Sequence, residues 1–71
     1  MDFKSNPTSD HFNIAEINKP DGYLVVEDEE LGLAYTVRPK KNDWIRAEIF
    51  NVYSVKFFYD GDETEVVTFM N

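Results

Sequence analysis

At 71 residues the chain has room for one domain, with a modest core whose net stability is about 3 to 5 kcal/mol. Fourteen acidic against 7 basic residues give a formal charge of −7, which opposes contact with phosphate backbones and anionic lipid and so excludes a direct nucleic-acid binder and a membrane-surface protein. With no cysteine there is neither a disulfide framework nor a thiolate metal site, a composition that suits a reducing cytoplasmic setting.

Residues 1–10 include Asn6-Pro7-Thr8-Ser9, a turn-forming cluster with little to bury, and are predicted to be a flexible leader ahead of a single small domain over 11–71. No apolar run there could serve as a signal segment, and the run Tyr23-Leu24-Val25-Val26 is far too short to span a membrane. Residues 11–18 read as a short helical turn capped by Asp10, carrying Phe12, Ala15 and Glu16 and ended by Pro20. The alternation of Phe12, Ile14 and Glu16 makes a strand the alternative.

Pro20-Asp21-Gly22 marks a turn, and residues 23–28 follow as a first strand. The four acids Glu27-Asp28-Glu29-Glu30 repel one another and seek water, which predicts a solvated turn. A second strand over 31–38 places Leu31, Leu33, Tyr35 and Val37 on one face and stops at Pro39; Lys40-Lys41-Asn42-Asp43 is then a polar loop. Residues 44–50 read as a third strand, with Ile45, Ala47 and Ile49 inward and Trp44, Arg46, Glu48 and Phe50 outward. A helix over 43–51 is the rival, because Asp43 is a good cap and Ile45 and Ile49 stand four apart. In the fourth strand, 52–59, Tyr53, Val55, Phe57 and Tyr59 share one side and Val52, Ser54, Lys56 and Phe58 the other. Tyr59-Asp60-Gly61-Asp62-Glu63 makes a bulged hairpin turn into a fifth strand over 64–70.

Five short strands with tight connections predict a mainly β fold, a small five-stranded antiparallel barrel, since a flat sheet would leave an apolar face wet and two edges unpaired. The alternative is an α+β fold with one helix at 43–51 packed on a four-stranded sheet.

Leu33-Ala34-Tyr35, then Trp44-Ile45-Arg46-Ala47-Glu48-Ile49, then Val55-Lys56-Phe57-Phe58-Tyr59-Asp60-Gly61-Asp62-Glu63 resemble the successive motifs of a Tudor domain, an SH3-like barrel, over roughly residues 31–69. The resemblance implies a reader of methylated lysine or arginine whose cage involves Tyr35, Phe58 and Asp60. Ile45 stands where the family usually places a cage aromatic, and an aliphatic wall gives no cation–π attraction, so Trp44 would have to turn in beside it. Asp62 departs as well, standing where an aromatic or asparagine is usual.

Ser9-Asp10-His11 sets a hydroxyl, a carboxylate and the lone imidazole side by side, but adjacency in sequence does not make a relay. Asp60, Asp62 and Glu63 lack the ligand spacing of a calcium loop, and the chain has no phosphate-cradling glycine loop. Neither an enzyme nor a cofactor or metal site is expected. The expected function is that of an acidic inhibitor or adaptor, a DNA mimic of the phage anti-defence or host-takeover type, occupying the basic surface of a protein partner that normally holds nucleic acid. Its expected contacts are Glu27, Asp28, Glu29 and Glu30, the hairpin acids Asp60, Asp62, Glu63 and Glu65, and the apolar anchors Trp44 and Phe58. As exposed charges, the hairpin acids are expected to carry little stability.

Overall fold

A computed structural model describes residues 11–69 as six strands, β1 Phe12–Asn18, β2 Tyr23–Asp28, β3 Leu33–Val37, β4 Arg46–Asn51, β5 Ser54–Phe58 and β6 Thr64–Thr68. A single turn of 3₁₀ helix, Asp60–Asp62, precedes β6. The strands form two antiparallel meanders, β1-β2-β3 and β4-β5-β6, each a three-stranded sheet. The fold is therefore mainly β, as the strand patterning predicts, but the sheets are not closed into a five-stranded barrel. Residues 46–51 are strand, so the alternative with a helix at 43–51 is not adopted. The leader expected over 1–10 and Met70, the last residue of the expected fifth strand, lie outside the described residues. No helix among those described is long and apolar enough to cross a membrane.

The additional strand is β1, where a helical turn was the expected conformation. Its residues pair with β2 across the turn at Pro20-Asp21-Gly22, which is closed by Gly22 N–H bonds to the carbonyls of Asn18 (2.9 Å) and Lys19 (3.1 Å). Gly22 supplies the positive φ of 78° that this turn requires. A bulge between Ile14 and Glu16 inserts one residue, so that Ile14 and Ile17, three apart, stand opposite Val26 and Leu24 on the same face. That three-residue spacing imitates a helix, and the cross-strand ladder outweighs the weak local preference.

Cross-strand register then defines the faces. Phe12, Ile14, Leu24, Val26, Tyr35 and Val37 look inward from the first sheet, and Ala47, Ile49, Val55, Phe57 and Val67 from the second. The buried core is Phe12, Leu24, Val26, Val37, Trp44, Val55, Phe57 and Tyr59. Each fully covered aliphatic or aromatic side chain stabilises the fold by about 1.5 to 3 kcal/mol relative to exposure. Burial fades along β3: Val37 is covered, Tyr35 half-covered, and Leu33 exposed, with Leu31 left in the turn ahead of the strand. The expected shared face of these four is thus apolar in sequence but covered at one end only.

Trp44 and Ile45 exchange their expected places. The ladder begins with the Ile45 N–H bond to the Phe58 carbonyl (2.7 Å), and Trp44 stands before it, where strand alternation does not apply. Its indole is buried edge-on against Phe57 at 5.3 Å, while Ile45 is 68 % exposed. Ser54, expected to face outward, is also buried, because its hydroxyl donates to Asn51 Oδ1 (2.7 Å) inside the β4–β5 turn.

The two sheets are aligned end to end. At one end Phe12 stands opposite Asp28, which stands opposite Leu33. Phe69 meets them there, its ring 5.6 Å from Phe12 and 5.2 Å from Tyr35 and its N–H on the carbonyl of Tyr53 (2.9 Å). At the other end Lys19, in the β1–β2 turn, donates to the carbonyls of Asn42 (3.0 Å) and Trp44 (2.6 Å), and its ammonium lies 3.8 Å from the Trp44 ring. The β2–β3 turn and the β5–β6 hairpin consequently lie at opposite ends of the strands.

Candidate functional site

Asp28 is the residue around which the β2–β3 turn is built. Alternation puts it on the inner face with Leu24 and Val26, and only 2 % of it is exposed. Its Oδ1 accepts the N–H groups of Glu30 (3.0 Å) and Leu31 (3.1 Å), its carbonyl accepts that of Gly32 (2.8 Å), and His11 Nε2 lies 3.5 Å from the same carboxylate oxygen. A carboxylate so enclosed needs those donors to offset its desolvation, and it is not available to a partner. Asp28 is thus withdrawn from the expected surface contacts.

Asp28 holds the other three acids outward. Glu27, Glu29 and Glu30 are exposed, Glu29 accepts from Asn13 Nδ2 (2.5 Å), and Glu30 lies 3.9 Å from His11 Nε2. No Lys or Arg is found among the described residues of this end, 11–13, 27–34, 49–54 and 68–69. The same end carries exposed apolar groups: Leu31 (66 %), Leu33, Val52 and Tyr53 (49 %). Tyr53 is carried in the β4–β5 turn, which Asn51 holds by accepting the Tyr53 N–H on its side chain (3.0 Å). The result is an apolar tip beside exposed carboxylates that no Lys or Arg of the described residues meets.

The β5–β6 end treats its acids differently. Gly61 (φ 75°) and Asp62 (φ 66°) turn the chain through the left-handed region, which glycine adopts freely and aspartate tolerates better than most residues. Glu63 pairs with Lys41 at 2.8 Å. Glu65 lies on the inner side of β6, accepting the Tyr59 hydroxyl (2.8 Å) and the Lys40 backbone N–H (3.1 and 3.3 Å to its two oxygens). Burial, with the Glu65 hydrogen bond and charge adding to it, pushes the Tyr59 phenol up to about 12. The hydrogen bond that Lys41 donates to Glu63 moves its ammonium above its ordinary value. Lys40, Lys41, Tyr59, Glu63, Thr64 and Glu65 line an open cleft of about 380 Å³. Glu63 and Glu65, expected as partner contacts, here also link the 38–45 loop to the hairpin, Glu63 by an exposed ion pair and Glu65 by hydrogen bonds, of which the one from Tyr59 is part-buried. Asp60 and Asp62 are exposed without a side-chain partner among the described residues.

The four side chains that the Tudor resemblance assigns to a cage lie on different surfaces. Tyr35 packs inward against Phe69, and Trp44 is 6 % exposed with Lys19 already over its ring. Phe58 faces outward from β5, half-buried beneath the Arg46 guanidinium 3.9 Å from its centroid, and Asp60 is in the hairpin. Trp44 is a core residue rather than an exposed anchor; the face-on lysine stabilises an indole whose N–H has no hydrogen-bond partner. Sequence reasoning missed Leu31, Leu33, Val52 and Tyr53 as surface groups. Leu31 and Leu33 were expected to share a strand face with Tyr35 and Val37, and Val52 and Tyr53 to lie on opposite sides of the fourth strand; the position of the sheet's end leaves all four uncovered. Among the described residues no three His, Asp or Glu side chains converge as metal ligands would. No protein-family model, curated protein or solved structure matches the chain.

Proposed function

We propose that this chain is a non-enzymatic binding module whose β2–β3 end occupies a basic surface of a protein partner, of the kind that otherwise holds nucleic acid, and so acts as an inhibitor or adaptor in the manner of a DNA mimic. The observation that carries the reading is the pairing, at one end, of exposed Leu31, Leu33, Val52 and Tyr53 with Glu27, Glu29 and Glu30, without a Lys or Arg among the described residues there. Apolar groups at the centre of an interface supply affinity, and a rim of one charge sign speeds encounter and sets specificity. Asp60 and Asp62, at the far end, reach a second basic patch only where the partner's groove is long enough to span both ends of the strands.

The test is capture of partners from a lysate on the immobilised chain, followed by release with a salt gradient and, separately, with duplex DNA. Release by both supports the reading. A captured protein that resists both salt and DNA overturns it, because neither charge complementarity nor a shared nucleic-acid surface would then be at work.

A further inference from the structure

Among the described residues as many large apolar side chains are exposed as form the buried core: Ile17, Leu31, Leu33, Ile45, Phe50, Val52, Tyr53 and Val66 against the eight core residues. The β2–β3 end accounts for four of them. Phe50 and Val66 belong elsewhere, to the outer face of the second sheet, together with half-buried Phe58. Register puts Arg46, Glu48, Lys56 and Phe58 on this face too, since Arg46 stands opposite Phe58 and Glu48 opposite Lys56, which stands opposite Val66. Arg46 lies over Phe58, and the Lys56 ammonium lies 5.4 Å from the Phe50 centroid and 5.5 Å from that of Phe58. Arg46 also bonds Glu48 on its own strand.

We propose that this face is where a second copy of the chain docks, sheet against sheet about a two-fold axis. Two features select that occupant. A two-fold interface must complement itself, and this face carries both signs on one strand, so an antiparallel approach sets Arg46 of each copy against Glu48 of the other while Phe50, Phe58 and Val66 meet between them. It is also the least acidic face of a chain of charge −7, with two bases to one acid, so two copies meet here against the least repulsion. Packed sheets stand about 10 Å apart, a spacing these side chains fill. The acidic β2–β3 ends stay outward in such a dimer, giving two copies of the end to which the binding function is assigned. The inference does not depend on that function, since the two are read by different measurements.

Sedimentation velocity of the full chain from micromolar to millimolar concentration tests it. The expected result is a concentration-dependent shift to twice the chain mass. Val66→Glu, an exposed change on β6, abolishes the shift while leaving the circular dichroism spectrum intact. Arg46→Glu and Glu48→Arg each raise the dimer dissociation constant about tenfold or more, as loss of a close interfacial charge pair does. The double variant R46E/E48R restores it, because the exchanged charges again meet across the axis. A chain that stays monomeric throughout overturns the proposal, including one whose face instead takes a labelled single-stranded oligonucleotide. So does a dimer that survives Val66→Glu, or a double variant no better than the singles.

Discussion

At the β5–β6 end the carboxylates of Glu63 and Glu65 are committed to Lys41, Tyr59 and the Lys40 backbone, whereas at the β2–β3 end Glu27, Glu29 and Glu30 stand where the described residues include no Lys or Arg. Both clusters look alike as strings of acids. They differ in what the fold brings beside them: Lys40 and Lys41 meet the hairpin acids, whereas in the β2–β3 cluster Asp28 is turned inward to accept the N–H groups of the turn and its neighbours stay exposed. Acidic composition by itself therefore does not identify a binding surface. A part-buried or buried carboxylate with donors in place, as at Glu65 and Asp28, stabilises the fold, and an exposed one with no Lys or Arg beside it keeps its field for a partner.

The contrast is broken most sharply by neutralising each end in turn. Glu27→Gln/Glu29→Gln/Glu30→Gln is expected to slow association with the captured partner by about 10-fold to 100-fold at low salt, measured by stopped flow, and to leave thermal stability unchanged. Asp28→Ala lies within the same four residues but acts on the fold. Removing the acceptor of two turn N–H groups from a buried site lowers unfolding free energy by about 2 kcal/mol in urea titration, and Asp28→Asn recovers part of that loss.

At the other end the expected effects are on stability. Gly61→Val lowers it by about 1 kcal/mol or more, because a β-carbon is strained at positive φ. Alkaline titration distinguishes the tether there. The phenol of Tyr59 is raised from 10.0 to about 12, so the folded chain keeps a proton that the unfolded chain gives up between those values. Stability is thus flat below pH about 10 and falls as pH rises towards about 12, and Tyr59→Phe removes that fall from the pH dependence of urea unfolding. The raised Lys41 adds to the loss in the same direction as it discharges. The smallest effect is Glu63→Gln: exposed, screened and on a flexible partner, the Lys41 pair leaves both the melting temperature and partner association within error.

Strand alternation, turn residues and charge determine much of this molecule from sequence alone. They yield the mainly β class, the turns at Pro20-Asp21-Gly22 and Gly61, the strand over 23–28, most of the strand expected over 44–50, and the shared side of Val55, Phe57 and Tyr59, because each depends on contacts a few residues apart or on a backbone preference of the residue itself. Tertiary structure decided the rest. The bulge at Ala15 turned a helix-like spacing into an inner strand face, the start of the ladder at Ile45 sent Trp44 inward, and the division into two open sheets replaced the expected barrel. It also sorted the acids, since Lys41 and Lys40, which meet Glu63 and Glu65, lie more than twenty residues away in the 38–45 loop, whereas no Lys or Arg among the described residues is brought to Glu27, Glu29 or Glu30. Local pattern fixes which side of a strand a residue faces, but where the sheet ends, and what faces it there, depends on pairings made across the whole chain.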